Sequence, residues 1–226
     1  RALRQAMRSA LDRTAIVDTA WGGLGKAQSS MWADGSLPPA LAPFPTTVDT
    51  TALKALVAGL PSKKVDLACL SDGGAGRQQM AELVQSQLAA LGLDVALRTM
   101  QPSEQFDLAN QPSEKRPDMM LCYVGGDAFH LDTTFRIMYR TDAKPLNFYQ
   151  YSNPEVDKLM DDAILKPTID EMNAVYQQLS QVFNDDAVLI PMCVPPTAAI
   201  THTDITGIAV NSYLPQVLLM QGIKRA

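Results

Sequence analysis

Three side chains in one short stretch could do chemistry. The segment 123–132 reads "YVGGDAFHLD" and sets Asp127, His130 and Asp132 within six residues, behind an apolar run, "DMMLCYV". A histidine between two carboxylates could ligate a metal such as nickel or zinc. Two acids alone, Asp127 and Asp132, could work as the acid and base of a hydrolase. An acid at the end of a buried strand could also receive a cationic ligand, with Gly125 and Gly126 letting that ligand come close to the backbone. A histidine and acids in a loop are more commonly solvated than ligating, so no metal is expected. The residues alone leave the carboxylate hydrolase and the ligand clasp open.

Other chemistries lack their parts. The only other histidine, His202, is remote in sequence, and no G-x-S-x-G elbow is present for a Ser-His-Asp triad. Cys69, Cys122 and Cys193 each sit in an apolar run without C-x-x-C spacing, which reads as three small core residues. The turn "SDGGAGRQ" joins a strand to a helix as phosphate loops do. It misses both the G-K-[ST] ending and the G-x-G-x-x-G spacing, and Asp72 would repel an anion. No cofactor is expected. A net charge of −5 without a basic cluster argues against a nucleic-acid partner. No apolar run reaches the roughly 18 residues needed to span a bilayer.

The elements that must position these residues can be read from periodicity. Leu3, Met7 and Leu11 follow helical spacing from the first residues, so the chain reads as beginning inside a helix, as a piece of a longer protein would. Asp12 can cap a second helix, "RTAIVDTAW". "GGLGKAQSSMWADGSLPPALAPFP" reads as a long irregular loop. After a short helix, "TTALKALVAGL", comes a strand, "KKVDLACLSD". A helix follows with Met80, Leu83, Val84, Leu88 and Leu91 on one face, closed by Gly92, and then a second strand, "LDVALRTM". This is a βαβ unit with parallel strands. "PSEQFDLAN" is a short helix and "RPDMMLCYV" a third strand. The second half is more helical. Asn153 and Pro154 start one helix, Thr168 with Glu171 starts another, and a strand-like "AVLIPMCV" follows.

The order of these segments resembles the family 5 extracellular solute-binding proteins of ABC importers. The stretches that carry the resemblance are "LRQAMRSALDRTAIVDTAWGGLG", "VDTTALKALVAGL", "AELVQSQLAALGLDVALRTM", "PDMMLCYVGGDAFHLDTTF", "YSNPEVDKLMDDA" and "LIPMCVPPTAAITHTDITGI". The "ALDRTAIV" and "YSNPEVDKLMDDA" stretches are the most specific. The resemblance covers nearly the whole chain but only about the C-terminal half of a typical member. It implies an α/β, periplasmic-binding-protein-like (type II) lobe, a mixed sheet flanked by helices. Residues 1–209 would form the C-terminal ligand-binding lobe. The apolar tail, 210–226, would return toward a missing N-terminal lobe.

The resemblance also implies a role for the opening segment. In peptide-binding members a strand enters the cleft and ends in a stretch resembling W-x-A-D-Y-x-[DE]-P, whose acid receives the ligand's amino terminus. On that pattern Tyr123 falls near the aromatic position, Gly126 near the alanine, Asp127 near the acid and Asp132 near the second acid. The implied ligand-binding set is Tyr123, Gly125, Gly126, Asp127, Phe129 and Asp132. The sequence departs from the pattern in having tyrosine for tryptophan and no proline after Asp132, and its spacing to Phe135 is longer. Trp21, Trp32 and Tyr149 are read as packing residues rather than cleft lining. The implied partners are a peptide or other small solute, the membrane permease of an ABC importer and the N-terminal lobe. The implied protein is a monomer, periplasmic or extracellular, with a lipid anchor as one way of holding it at the membrane. It is not an enzyme, the alternative being the Asp127/Asp132 hydrolase.

Overall fold

The computed structural model describes residues 1–28, 30, 47–124, 130–143, 146–196, 200–209 and 219–225. In chain order the elements are α1 (Ala2–Ala10), α2 (Arg13–Trp21), β1 (Lys26–Ala27), α3 (Thr51–Ala58), β2 (Lys64–Leu70), α4 (Gly74–Ala90), β3 (Asp94–Met100), α5 (Pro102–Asp107) and β4 (Met119–Leu121). There follow α6 (Asp132–Met138), α7 (Pro154–Ile164), α8 (Ile169–Asp186), β5 (Cys193–Val194), β6 (Ile205–Thr206) and β7 (Lys224–Arg225).

The local signals act where the sequence puts them. Asp12 accepts the backbone N–H of Ala15 at 3.0 Å and starts α2. Asn153 does the same for Glu155 at the head of α7, and Thr168 for Glu171 at the head of α8. Each cap satisfies one of the donors a helix start leaves unpaired.

Strands β2 and β3 run parallel, Lys64 opposite Asp94 through Leu70 opposite Met100, and α4 crosses between them. Strand β4 joins the other side of β2, also parallel, with Leu67 opposite Met119 and Cys69 opposite Leu121. The order β3-β2-β4 leaves β2 central. Antiparallel pairing occurs in separate two-residue ladders, β1 with β5 and β6 with β7. Alternation along β2 divides the core. Leu67 packs with Met80, Val84 and Leu88 of α4 and with Ile16, Val17, Leu53 and Val57. Ala68 and Leu70 face Met100, Leu108 and Phe148 on the other side. A further core, built on Phe135, Tyr139, Met160, Tyr176, Leu179 and Phe183, unites α6, α7 and α8.

The end of α8 is held by α1. Arg1, Arg4, Gln5 and Arg8 lie on one face of α1, as their spacing dictates. Arg1 and Gln5 donate to the carbonyl of Asp185 (2.8 and 2.6 Å), Arg4 to that of Asp186 (2.8 and 3.1 Å) and Arg8 to that of Asn184 (2.8 Å). These are carbonyls that a helix C-terminus leaves unpaired, at the negative end of its dipole. The Asp186 carboxylate in turn accepts from the Tyr151 hydroxyl (2.7 Å) and the Asn153 amide (2.9 Å). Arg13, buried, reaches the carbonyls of Gln28 (2.8 Å) and Pro191 (3.2 Å). Trp21 packs, as expected, with its indole N–H on Met80 Sδ at 3.1 Å. Its ring fills the space a Cβ would take on Gly25 or Gly76.

Two outcomes follow. Arg8 is the partly buried arginine of the clamp, so Arg8→Ala should cost roughly 1.5–3 kcal/mol, and Arg1→Ala, more exposed, about 0.3–1 kcal/mol. Urea unfolding midpoints for the two variants measure this, and equal midpoints would refute the ranking. Burial works against the Asp186 charge, but Tyr151, Asn153, Arg1 and Arg4 together hold its carboxyl below the ordinary range. A carboxylate depressed in the folded state adds stability that is complete above its unfolded pKa, about 3.9. That contribution is lost as pH falls through the lower folded value. Asp186→Asn should therefore be less stable than the parent at pH 6 and lose less on going from pH 4 to pH 2, read by thermal unfolding across that range.

Candidate functional site

The carboxyl ends of the three parallel strands lie at one edge. After β2 the chain turns through Ser71–Gly73 into α4; after β3 it turns at Gln101 into α5; after β4 come Cys122 and Tyr123. Ser71 Oγ donates to Gln101 Oε1 at 3.1 Å, tying the β2 and β3 ends together. Arg77 pairs with Asp72, so that turn's acid and base neutralise each other. Gly76 is where it is because Trp21 occupies the space of a side chain there, which gives the glycine-rich turn a packing reason. Tyr123 stands half exposed, and so does Phe106 on α5. Phe106 was not singled out in the sequence; nothing in its local pattern separates it from a core residue. Tyr149 is packed, stacked on Tyr139 with centroids 5.5 Å apart. Gly125, Gly126, Asp127, Phe129 and Trp32 lie outside the described residues.

His130 and Asp132 are engaged within the lobe. The backbone N–H of Asp132 donates to His130 Nδ1 at 3.1 Å, so the ring of His130, one residue before the N-cap Leu131, takes up one free donor at the start of α6. With Nδ1 accepting, Nε2 carries the proton and donates to Asn173 Oδ1 at 2.9 Å. The ring stands edge-on to Tyr176, centroids 5.0 Å apart. The Asp132 carboxylate accepts from Arg136 Nε at 2.7 Å and from the Tyr176 hydroxyl. Burial first, and the hydrogen bond to Asp132 second, push the Tyr176 hydroxyl well above its ordinary pKa, so it stays a donor. Both nitrogens of His130 are thus in use, and Asp132 holds α6 against α8. This arrangement does not present the histidine as a metal ligand, and among the described residues no three His, Cys, Asp or Glu side chains converge for one.

The cysteines are free thiols. Cys69 is 1% exposed, and burial pushes its pKa up, as it does for Cys122 and Cys193. A raised thiol is a poor nucleophile.

A groove of about 600 Å³ lies elsewhere, at the start of β4, lined among others by Arg4, Arg116, Asp118, Tyr149, Tyr151 and Asp186. Its charged groups already have partners: Arg4 and Asp186 as above, Asp118 the Asp66 N–H at 2.8 Å, and Arg116 the Gln111 carbonyl at 2.9 Å. Open α/β sheets bind ligands at the carboxyl ends of their strands. The edge carrying Tyr123 is therefore the candidate site; the groove opens at the start of β4 and reaches Leu108 and Phe148, which pack beneath that edge.

The chain has relatives of known kind. It is 23% identical over 233 residues to a probable di/tripeptide-binding protein of Pseudomonas aeruginosa, a match covering 99% of this chain and 43% of that protein. The chain thus spans less than half the length of that relative. Among solved structures, the ABC transporter substrate-binding protein CtaP of Listeria monocytogenes superposes with a TM-score of 0.70 at 25% identity, covering 85% of this chain and 40% of that one. The oligopeptide-binding protein AppA of Bacillus subtilis, solved with a nonapeptide, superposes with a TM-score of 0.74 at 22% identity, over 100% of this chain and 47% of that one. That likeness shows the fold, a periplasmic-binding-protein-like α/β lobe. The model of the bacterial extracellular solute-binding proteins, family 5 middle region, matches residues 1–145, and the chain belongs to that family.

Proposed function

We propose that the chain is one lobe of a two-lobed solute receptor that binds peptides at the carboxyl edge of its parallel sheet and delivers them to the membrane permease of an ABC importer. The observation that carries this reading is the open edge itself: in a member of this family, Tyr123 and Phe106 stand exposed where a ligand would sit. A single open face cannot surround and desolvate a small ligand, so a second lobe supplies the opposite wall. The protein acts outside the cytoplasmic membrane as a monomer, held there by a lipid anchor or free. The tail from residue 210 belongs with the second lobe, although its last strand, Lys224–Arg225, pairs with Ile205–Thr206.

Within this reading Asp127, with Gly125, Gly126 and Phe129 around it, receives the ligand's amino terminus. Asp132 positions α6 and does not touch the ligand, because Arg136 and Tyr176 already hold its carboxylate. The same geometry weighs against hydrolysis by Asp127 and Asp132. That chemistry needs both carboxylates facing one substrate.

Two outcomes test the proposal in the protein at the length of its relatives, with the tripeptide Ala-Ala-Ala as probe. Asp127→Asn should weaken binding by roughly 2–5 kcal/mol, the cost of unpairing a buried charge. Asp132→Asn should lower the unfolding temperature and change affinity by less than about threefold, within 0.7 kcal/mol. Calorimetry and thermal unfolding on both variants separate the roles, and unchanged affinity for Asp127→Asn would move the site. The 226-residue chain alone should bind the same peptide far more weakly. Its charge pair would be solvent-exposed, worth about 0–1 kcal/mol, against the roughly 8 kcal/mol of a micromolar complex. Equal affinity in both lengths would mean that this lobe holds a complete pocket.

A further inference from the structure

The parallel sheet has two outer strands, β3 and β4, and their edges are built differently. Along β3, Asp94, Ala96, Arg98 and Thr99 stand exposed, and Arg98 pairs with Asp66 of β2 at 3.0 Å. Charged side chains of this kind keep a free strand edge from pairing with another chain. Strand β4 carries none. Met119, Met120 and Leu121 are all half-buried, and the apolar run continues through Cys122 to Val124. Among the described residues no strand pairs with the outer side of β4, so backbone groups that turn away from β2 have no ladder partner there.

The groove of about 600 Å³ follows that outer side. Both Met119 and Met120 line it, and these neighbours point to opposite faces of the sheet: Met119 packs into the core shared with α4, Met120 into the core around Phe148. A cavity that touches both lies along the strand's edge and not over one face. Since β2 holds the other edge, it is the free one. Arg4 of α1 lines the same groove, as does Asp186, and Arg1 donates to the neighbouring carbonyl of Asp185 at 2.8 Å. The chain therefore enters α1 beside the start of β4.

We infer that the outer side of β4 is covered by the segment that leads into Arg1 in the longer protein, laid in this groove as an antiparallel strand. The inference rests on the reading of the chain as one lobe of a longer receptor, and the matched family model is that of a middle region. A segment ahead of Arg1 finishes at the start of β4, so to cover β4 it must arrive from the carboxyl end, which makes the pairing antiparallel. Lying between the cores that Met119 and Met120 enter, it is buried on both faces and reads as a near-continuous apolar run of about 4–6 residues. A second copy of the chain could also add to a free strand, but a covalently joined segment pairs at a far higher effective concentration. The first residues of the strand border the edge that carries Tyr123, so the segment that completes the sheet also bounds the candidate site.

Amide hydrogen exchange tests this in the protein at the length of its relatives. The amides of residues 119–123 that do not bond to β2 should exchange roughly a hundredfold more slowly there than in the 226-residue chain. Replacing the apolar run ahead of Arg1 by Gly-Ser in the longer protein should remove that protection. Extending the 226-residue chain by about 20 native residues ahead of Arg1, enough for one strand and a turn, should restore it. The same extension with Gly-Ser in place of the run should not. Fast exchange of these amides in the longer protein would overturn the inference. So would protection that survives the Gly-Ser replacement, that needs added Ala-Ala-Ala, or that appears in the 226-residue chain only as it dimerises. Protection that follows the native run in a protein unable to bind Ala-Ala-Ala would remove the peptide-binding reading and leave the strand in place.

Discussion

The clamp between α1 and the end of α8 is the interaction on which the rest of the lobe depends. One helix near the start of the chain supplies three guanidinium groups and an amide to three successive carbonyls about 180 residues later. Its opposite face, Ala6, Met7 and Ala10, is buried against α2, α3 and the parallel sheet. Helix α1 is thus shared between the α/β unit and the helical unit. Because α8 also carries Tyr176 and Asn173, the clamp sets where α6 begins, through His130 and Asp132. The residues that follow the site segment are thus held by an element distant in sequence.

Much of this organisation was legible in the sequence because it rests on short-range rules. The β2–α4–β3 unit follows from a strand-length apolar run, a helix with a 3.6-residue stripe and a second run, and handedness leaves its pairing little choice. Asp12, Asn153 and Thr168 cap the helices they precede, since a cap needs only a donor two or three residues ahead. Helix α6 was not separated from the site segment. Its N-cap is Leu131, which offers no capping side chain, and its amphipathic stripe is cut short at seven residues. The Arg1, Arg4, Gln5 and Arg8 stripe follows from the same helical spacing as Leu3, Met7 and Leu11, but nothing near it names its partners.

The candidate site divides along the same line. That Asp132 could pair with Arg136 is implicit in their i, i+4 spacing. That Tyr176 closes the other side of the carboxylate is a tertiary fact, and together they turn a would-be ligand group into a structural one. The exposure of Phe106 is likewise decided by packing: its neighbour Leu108 is buried while Phe106 is not. Whether Asp132 is committed to its own lobe is a tertiary matter, and here it depends on α8.

Cys69 brings out one more property of the lobe. Its thiol lies beneath the start of α4, with Sγ 3.7 Å from the Leu70 carbonyl and 3.8 Å from that of Arg77, shut from solvent. A thiol reagent reaches that sulfur only when α4 lifts from β2, the central seam of the α/β unit. The chain therefore carries a built-in clock: the rate at which Cys69 is modified reports how often that seam opens, without any label having to be introduced.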